Sequence, residues 1–403
     1  MRSHKIQKEP FNSKSSQARK KTTRLFPYHH EKGGVSSLLN RRLLRLWWDR
    51  SSEKPGKGPL YPLYTFSEAL YGRLLAMEQK RSISMARNLP RPVISIGNLV
   101  VGGTGKTPMV LWLGKHLKEE GFNVTVLSGG YGGSRKGVSQ VEISCGLKRA
   151  SSLCGDEPVL LAAKGLTVWV GKDRFLAGGE ALKSEPVNFF LVDDGFQHLK
   201  LQRNLDLVLL DALNPWGNGL LLPFGPLREP VKNLERADAF ILTRTPPGVR
   251  KTALASFLAR QFPFKPVFSC HHRLTGFRRG LHGDRVPLGA LQKARVVAFS
   301  GIAKPHEFLR SLQSVDIHPS RYHTFPDHHP YQLKDIEMLC KSLDQARADF
   351  IMTTEKDYVR FPPFPQAPVV TAQVAMDFGD ETKPFVEFIQ ERVTRMLQDP
   401  SPF

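Results

Sequence analysis

The chain has 403 residues, 40% of them hydrophobic and 24% charged, which is enough for one large or two moderate domains, each with its own core. Its net charge is +21, and residues 1–60 carry 15 Lys/Arg against 4 Asp/Glu, so more than half of the excess sits in an N-terminal arm. No run approaches 18 apolar residues, and four scattered cysteines (Cys145, Cys154, Cys270, Cys340) form no C-x-x-C pair, which argues against a membrane-spanning helix, a disulfide framework and a zinc knuckle.

Residues 1–40 are basic and Ser-rich with little apolar periodicity, as in a disordered tail. In Arg41 to Arg50 the arginines interleave with Leu43, Leu44, Leu46, Trp47 and Trp48, the pattern of a short helix on an anionic membrane surface. A break follows at Pro55 to Pro59. Leu63, Phe66, Leu70, Leu74 and Met77 then recur at helical spacing, a pattern that allows either a core-packed or a lipid-facing helix. Residues 41–88 are thus expected as amphipathic helices at a membrane surface. The arm lacks both a secretory leader and the amphipathic helicity of an import sequence, which favours a bacterial inner-membrane surface.

From Arg91 onward short apolar strands alternate with helical segments. The strands are expected at Val93–Ile96, Asn123–Leu127, Thr167–Val170, Asn188–Val192, Leu205–Leu210 and Ala239–Leu242, then at Val296–Phe299, Phe350–Thr353 and Val369–Thr371. Such alternation predicts an α/β fold with parallel sheets flanked by helices. The expected lobes span 89–260 and 291–395, joined by an extended linker at 261–290.

The first strand runs into Val101-Gly102-Gly103-Thr104-Gly105-Lys106-Thr107-Pro108, with a helix expected from Pro108. Strand, glycine turn and helix N-terminus form a phosphate cradle of the P-loop NTPase type. Lys106 would reach the terminal phosphates of ATP, and the Thr107 hydroxyl would ligate Mg²⁺. The consensus calls for glycine five positions before Gly105, where this chain has Val100.

Four further segments carry reactive side chains. Asn188 to His198 (NFFLVDDGFQH) ends a strand in Asp193-Asp194, at the sheet edge where P-loop proteins hold their metal. Gly155-Asp156-Glu157-Pro158 opens a helix, and Asp156 there is either an N-cap or a carboxylate facing the phosphate site. The loop Asn214 to Pro230 is dense in Gly and Pro and ends in Arg228-Glu229, which form either a surface ion pair or part of a metal–phosphate site. In Phe325-Pro326-Asp327-His328-His329 an aspartate beside histidine suggests an oriented base.

In this order VGGTGKTP, GDEP, DDGFQH, NPWGNG…LPFGPLREP, SGIAKPHEF, FPDHH and TEKD resemble the tetraacyldisaccharide 4'-kinases of lipid A biosynthesis, over about seven tenths of the chain. The resemblance implies a P-loop kinase of two α/β lobes joined by a β-stranded linker, with an N-terminal helix that contacts the membrane. It implies transfer of the ATP γ-phosphoryl group to the 4'-hydroxyl of tetraacyldisaccharide 1-phosphate, giving lipid IVA at the cytoplasmic face of the inner membrane. Asp156 would be the base, acting with His328. Lys106, Gly102, Gly103, Thr104, Gly105, Thr107 and Arg228 would hold the nucleotide, and Thr107, Asp193, Asp194 and Glu229 the Mg²⁺. The partners are then a lipid substrate and an anionic membrane, not nucleic acid, and the chain is expected as a monomer.

One departure stands out. Where the family carries a motif like LSRGYGR, Leu127 to Gly133 reads LSGGYGG, with Gly129 and Gly133 in the arginine positions. Arg135 lies close enough in sequence to compensate. Two other classes compete: a P-loop NTPase with another acceptor, and a nucleic-acid-associated ATPase. Within the first, a GTPase or metallochaperone partner would carry metal-ligand clusters or an Asn-Lys-x-Asp guanine motif, and neither is present, while the second is expected to spread its basic residues over the body.

Overall fold

Val93–Asn98 and Leu205–Asp211 are buried at every residue, as strands covered by helices on both faces of a parallel sheet must be. The computed structural model describes residues 61–399 except 247, 250, 251, 365 and 366, with side chains from residue 66 on. The basic tail and the Arg41 to Arg50 segment lie outside the described residues. Eight strands form the larger sheet: β1 (Val93–Asn98), β2 (Val124–Ser128), β3 (Ser139–Gln140), β4 (Thr167–Val170), β5 (Phe189–Asp193), β6 (Leu205–Asp211), β7 (Ala239–Thr243) and β8 (Val267–Ser269). Their order is β3-β4-β2-β5-β1-β6-β7-β8, all parallel except the short β3. The smaller sheet runs β11-β10-β12-β13-β9, with β9 (His271–Arg279), β10 (Val296–Ser300), β11 (Arg321–Thr324), β12 (Phe350–Thr354) and β13 (Val369–Asp377). Its one antiparallel strand is β9, which lies in the segment expected as a linker.

The helices are α1 (Tyr61–Ser84), α2 (Lys106–Glu119), α3 (Leu147–Cys154), α4 (Asp156–Ala163), α5 (Arg174–Ser184) and α6 (Ala253–Gln261), followed by α7 (Leu288–Lys293), α8 (Pro305–Gln313), α9 (Leu333–Ala346), α10 (Glu355–Tyr358) and α11 (Thr382–Gln398). None of the described helices is long and apolar enough to cross a membrane. In α2 the buried Met109, Val110, Leu113 and Leu117 follow helical spacing and pack on the larger sheet. Sequence assigns α11 to the second lobe. Its Phe385, Ile389, Val393 and Met396 are buried in the same core as β1, β2 and β5, each contributing about 1.5–3 kcal/mol by burial. Trp112 of α2 meets the Phe378 and Phe385 rings at 5.1 and 5.3 Å, so the C-terminal helix clasps the larger lobe.

One face of α1 packs on the core and the other is exposed. Tyr71 packs on the core formed by Leu221, Leu227 and Phe196, whereas Phe66, Leu70, Leu74 and Met77 are 68, 47, 57 and 69% exposed. At 100° per residue those four share one stripe.

Candidate active site

In the larger sheet β1 lies between β5 and β6, and strands are added in opposite directions on its two sides. The crevice outside the carboxyl ends at such a switch point is where open α/β sheets take their ligands. The P-loop leaves β1 into this crevice. Gly105, at φ 95°, caps α2, which starts at Lys106, two residues before the expected Pro108. The first amides of a helix have no partner inside it, so those of Lys106 and Thr107 are available to an anion. The loop is pinned from two sides. Asn98 Nδ2 donates to Thr104 Oγ1 at 2.9 Å, and Arg244 Nη2 donates to the Gly103 carbonyl at 2.7 Å. Lys106 Nζ lies 3.5 Å from Asp194 Oδ1.

Asp193 and Asp194 end β5 beside this loop but have opposite surroundings. Asp194 turns out of the strand at φ 55° and accepts both Lys106 and Arg228, whose Nη1 is 2.9 and 2.8 Å from its two oxygens. Burial alone would raise its carboxyl, but these two cations hold it below the usual range. Asp193 is 3% exposed, has only a 3.4 Å bond from Ser128 Oγ, and keeps Oδ1 without a hydrogen-bond partner. Burial, then the charges of Glu157 and Asp194, push its carboxyl up to about 7. A carboxyl whose folded pKa exceeds its unfolded value binds more protons in the native state, so its contribution to stability falls as pH rises from about 4 to about 7. Asp193→Asn is therefore expected to raise the melting temperature of the nucleotide-free protein at pH 8, and by much less at pH 5; equal shifts in thermal melts at both pH values would contradict it.

The second half of the site joins Asp156 of the larger lobe to side chains of the smaller one. Asp156 begins α4 and is 4% exposed. His328, at φ 58° in the loop after β11, brings Nδ1 to 3.2 Å from Asp156 Oδ1 and 3.0 Å from Oδ2. Arg360 Nε is 3.5 Å from Oδ2, and Lys356 lies 3.0 Å from Glu157 and 3.9 Å from Asp327. Burial works against ionisation of Asp156, but the bond from His328 and the charges of Lys356, His328 and Arg360 outweigh it and bring the carboxyl down to about 2. Asp156 is therefore a permanently ionised acceptor at neutral pH. The turn at Gly155 packs against Tyr131 in the loop that leaves the carboxyl end of β2, the strand parallel to β5, so Asp156 lies at the sheet edge where β5 ends.

Arg228 joins the site, whereas Glu229 is used differently from the metal role expected of it. The backbone of 226–228 pairs with the chain entering the P-loop: Val101 N–H donates to the Pro226 carbonyl at 2.8 Å and Arg228 N–H to the Leu99 carbonyl at 2.9 Å. This places the Arg228 guanidinium on Asp194. Glu229 points inward, is fully buried, and shares its carboxylate among Gln197, Gln79, Asn233 and Arg236 at 2.6 to 2.7 Å. Metal ligation would require it to give up one of these donors.

Residues 60–394 match the family model described as Tetraacyldisaccharide-1-P 4'-kinase. The chain belongs to that family. A tetraacyldisaccharide 4'-kinase of Syntrophobacter fumaroxidans is 42% identical over 364 residues, 89% of this chain and 94% of the relative. One of Pelobacter propionicus is 41% identical over 312 residues, 76% and 84% of the respective chains. Among solved structures, LpxK from Aquifex aeolicus, described as an "apo" form in complex with ATP, matches with a TM-score of 0.64 and 29% identity, covering 83% of this chain and 98% of that one.

Within this tetraacyldisaccharide 4'-kinase family member, the glycines at 129 and 133 have separate physical reasons. A Cβ on Gly129 would lie 2.7 Å from Arg174 Nη2, so the Arg174 guanidinium already fills that space, and its charge acts on Asp193 and Asp194. A Cβ on Gly133 would meet the Leu153 carbonyl at 2.5 Å, because this turn packs against the turn that presents Asp156. Arg135, expected to compensate, faces Cys154 instead. Sequence reading also passed over Gln197, Arg244 and Asp211. The last accepts Arg244 at 2.8 Å and Lys304 at 2.6 Å, and Arg244 also binds Glu307 at 2.7 Å, joining the P-loop to the smaller lobe. Lys304 and Glu307 lie in the SGIAKPHEF motif, so half of that signal was visible.

Proposed function

We propose that this chain transfers the γ-phosphoryl group of ATP to the 4'-hydroxyl of tetraacyldisaccharide 1-phosphate, giving lipid IVA in lipid A biosynthesis, with Asp156 as the base. The observation that carries this reading is the ionised Asp156, oriented by His328 at the same edge of the larger sheet as the P-loop. Phosphoryl transfer rests on positioning and charge neutralisation, and each residue has a task of that kind. Lys106 and the amides of the loop hold the β- and γ-phosphates. Arg228 and Asp194 fix the position of Lys106. Asp156 accepts the proton of the 4'-hydroxyl as its oxygen bonds to the γ-phosphorus and the bond to the β-phosphate oxygen breaks, releasing ADP. His328 stabilises the carboxylate before transfer and shares the proton afterwards.

The fit to Mg²⁺ rests on Asp193, whose orphaned, buried oxygen suits a hard cation; Asp193 and the Thr107 hydroxyl would hold it. When bound, the ion neutralises charge on the β- and γ-phosphates. The exposed stripe of α1 supports docking on the cytoplasmic face of the inner membrane, where the acyl chains of the acceptor remain in the bilayer.

The test is transfer of labelled γ-phosphate from ATP to tetraacyldisaccharide 1-phosphate in mixed micelles. Lipid-dependent formation of a labelled bisphosphate is expected. Binding of ATP and of the lipid without transfer would overturn the reading.

A further inference from the structure

The buried Glu229 is where the membrane-facing helix and the P-loop meet. Two side chains of α1 reach the segment that carries Arg228. Tyr71 Oη donates to the Arg228 carbonyl at 3.1 Å, and Gln79 Nε2 donates to Glu229 Oε2 at 2.7 Å. Asn233 Nδ2 returns a bond to Gln79 Oε1 at 3.1 Å, so the Gln79 amide is fixed at both ends. From Glu229 the connection continues inward. Glu229 Oε1 accepts Gln197 Nε2 at 2.6 Å, Gln197 Oε1 accepts Arg228 Nη1 at 3.1 Å, and Arg228 holds Asp194, which holds Lys106. Tyr71, Leu75 and Gln79 lie within about 80° of one another on the helix, on the side away from the exposed stripe of Phe66, Leu70, Leu74 and Met77.

We propose that Gln79 is a positioning residue, through which the docking of α1 sets the place of Arg228 and hence of Lys106 at the phosphates of ATP. The inference rests on the kinase reading above and extends it: the helix that meets the lipid surface is itself a strut of the phosphate site. A fully buried carboxylate keeps its orientation only while its donors stay in place, because each lost donor leaves a charged lone pair without compensation. Glu229 therefore reports the seating of α1, through Gln197, to Arg228, which steadies Asp194.

A split between kcat and KM separates this role from simple anchoring. Gln79→Leu, which keeps the volume and removes the donor, is expected to lower kcat about tenfold, with the KM for lipid in vesicles within about twofold of wild type. Tyr71→Phe, a milder change with little risk to folding, should lower kcat in the same direction by a smaller factor. Gln79→Lys, which restores a donor toward Glu229, should recover most of the loss. Substituting serine for Phe66 and Leu74 on the outer stripe should instead raise the lipid KM and leave kcat in place. If the Gln79 and Tyr71 variants raise only the lipid KM, or change neither constant while melting as wild type does, the inference is overturned. Absence of phosphoryl transfer by the wild-type protein in the same assay would instead overturn the kinase reading.

Discussion

Asp156→Asn is expected to lower kcat by about 10²- to 10⁴-fold, the usual cost of losing a positioned base, with the KM for ATP within about twofold of wild type. The substitution is nearly isosteric and leaves the start of α4 in place, but an amide cannot take up the proton of the 4'-hydroxyl. His328→Ala should have a comparable effect. Because the two side chains act as one unit across 3.0–3.2 Å, the double variant should be little worse than either single one. Additive losses would mean that His328 acts elsewhere. A stability effect accompanies the kinetic one. The wild-type carboxyl sits at about 2, below its unfolded value of 3.8, so it contributes about 2 kcal/mol that is present above pH 4 and lost as pH falls through 2. Urea titrations at pH 7 should find the asparagine variant less stable by about that amount, and the difference should shrink toward pH 3.

Lys106→Ala should cost about 10²- to 10³-fold in kcat, because it removes a fixed cation from the place where transition-state charge develops. The ATP KM should rise with it. The loss is not confined to the lysine: Asp194 would keep Arg228 at 2.8 Å as its remaining partner and would present excess negative charge to the phosphates. Lys106→Arg is not expected to restore the rate, since a bulky planar guanidinium with delocalised charge does not reproduce a compact ammonium 3.5 Å from Asp194. Steady-state kinetics with binding of a fluorescent ATP analogue would check both points. Near-wild-type kcat in the alanine variant would remove Lys106 from the phosphate site.

Much of the catalytic lobe was legible because its signals are local. A β-branched apolar run, a glycine turn and Gly-Lys-Thr specify strand, cradle and helix within a short stretch of chain, and the strands around them register as buried runs ending in polar residues. Where nearness in sequence misleads, the cause is a contact between segments far apart in the chain. Arg135 was the natural stand-in for a missing arginine because it is near in sequence. Space belongs instead to Arg174, brought in from the start of α5 against Gly129. Glu229 sits beside Arg228 in the chain, yet the backbone pairing of 226–228 with the entry to the P-loop sends the two side chains in opposite directions, one to Asp194 and one into four partly buried donors.

By itself the sequence determined an α/β fold with a P-loop, which elements carry its reactive groups, and that the helix after the basic arm bears an apolar stripe. Each of these is written in the spacing of neighbouring residues, where backbone geometry alone links pattern to structure. Only the tertiary structure decided that Asp156 and His328, 172 residues apart, form one hydrogen-bonded pair, and that Asp194 is neutralised while Asp193 is stranded. It alone decided that the inner face of α1 ends on Glu229. Ionisation and orientation depend on which charges and donors share a low-dielectric space, and that neighbourhood exists only once distant parts of the chain have packed together.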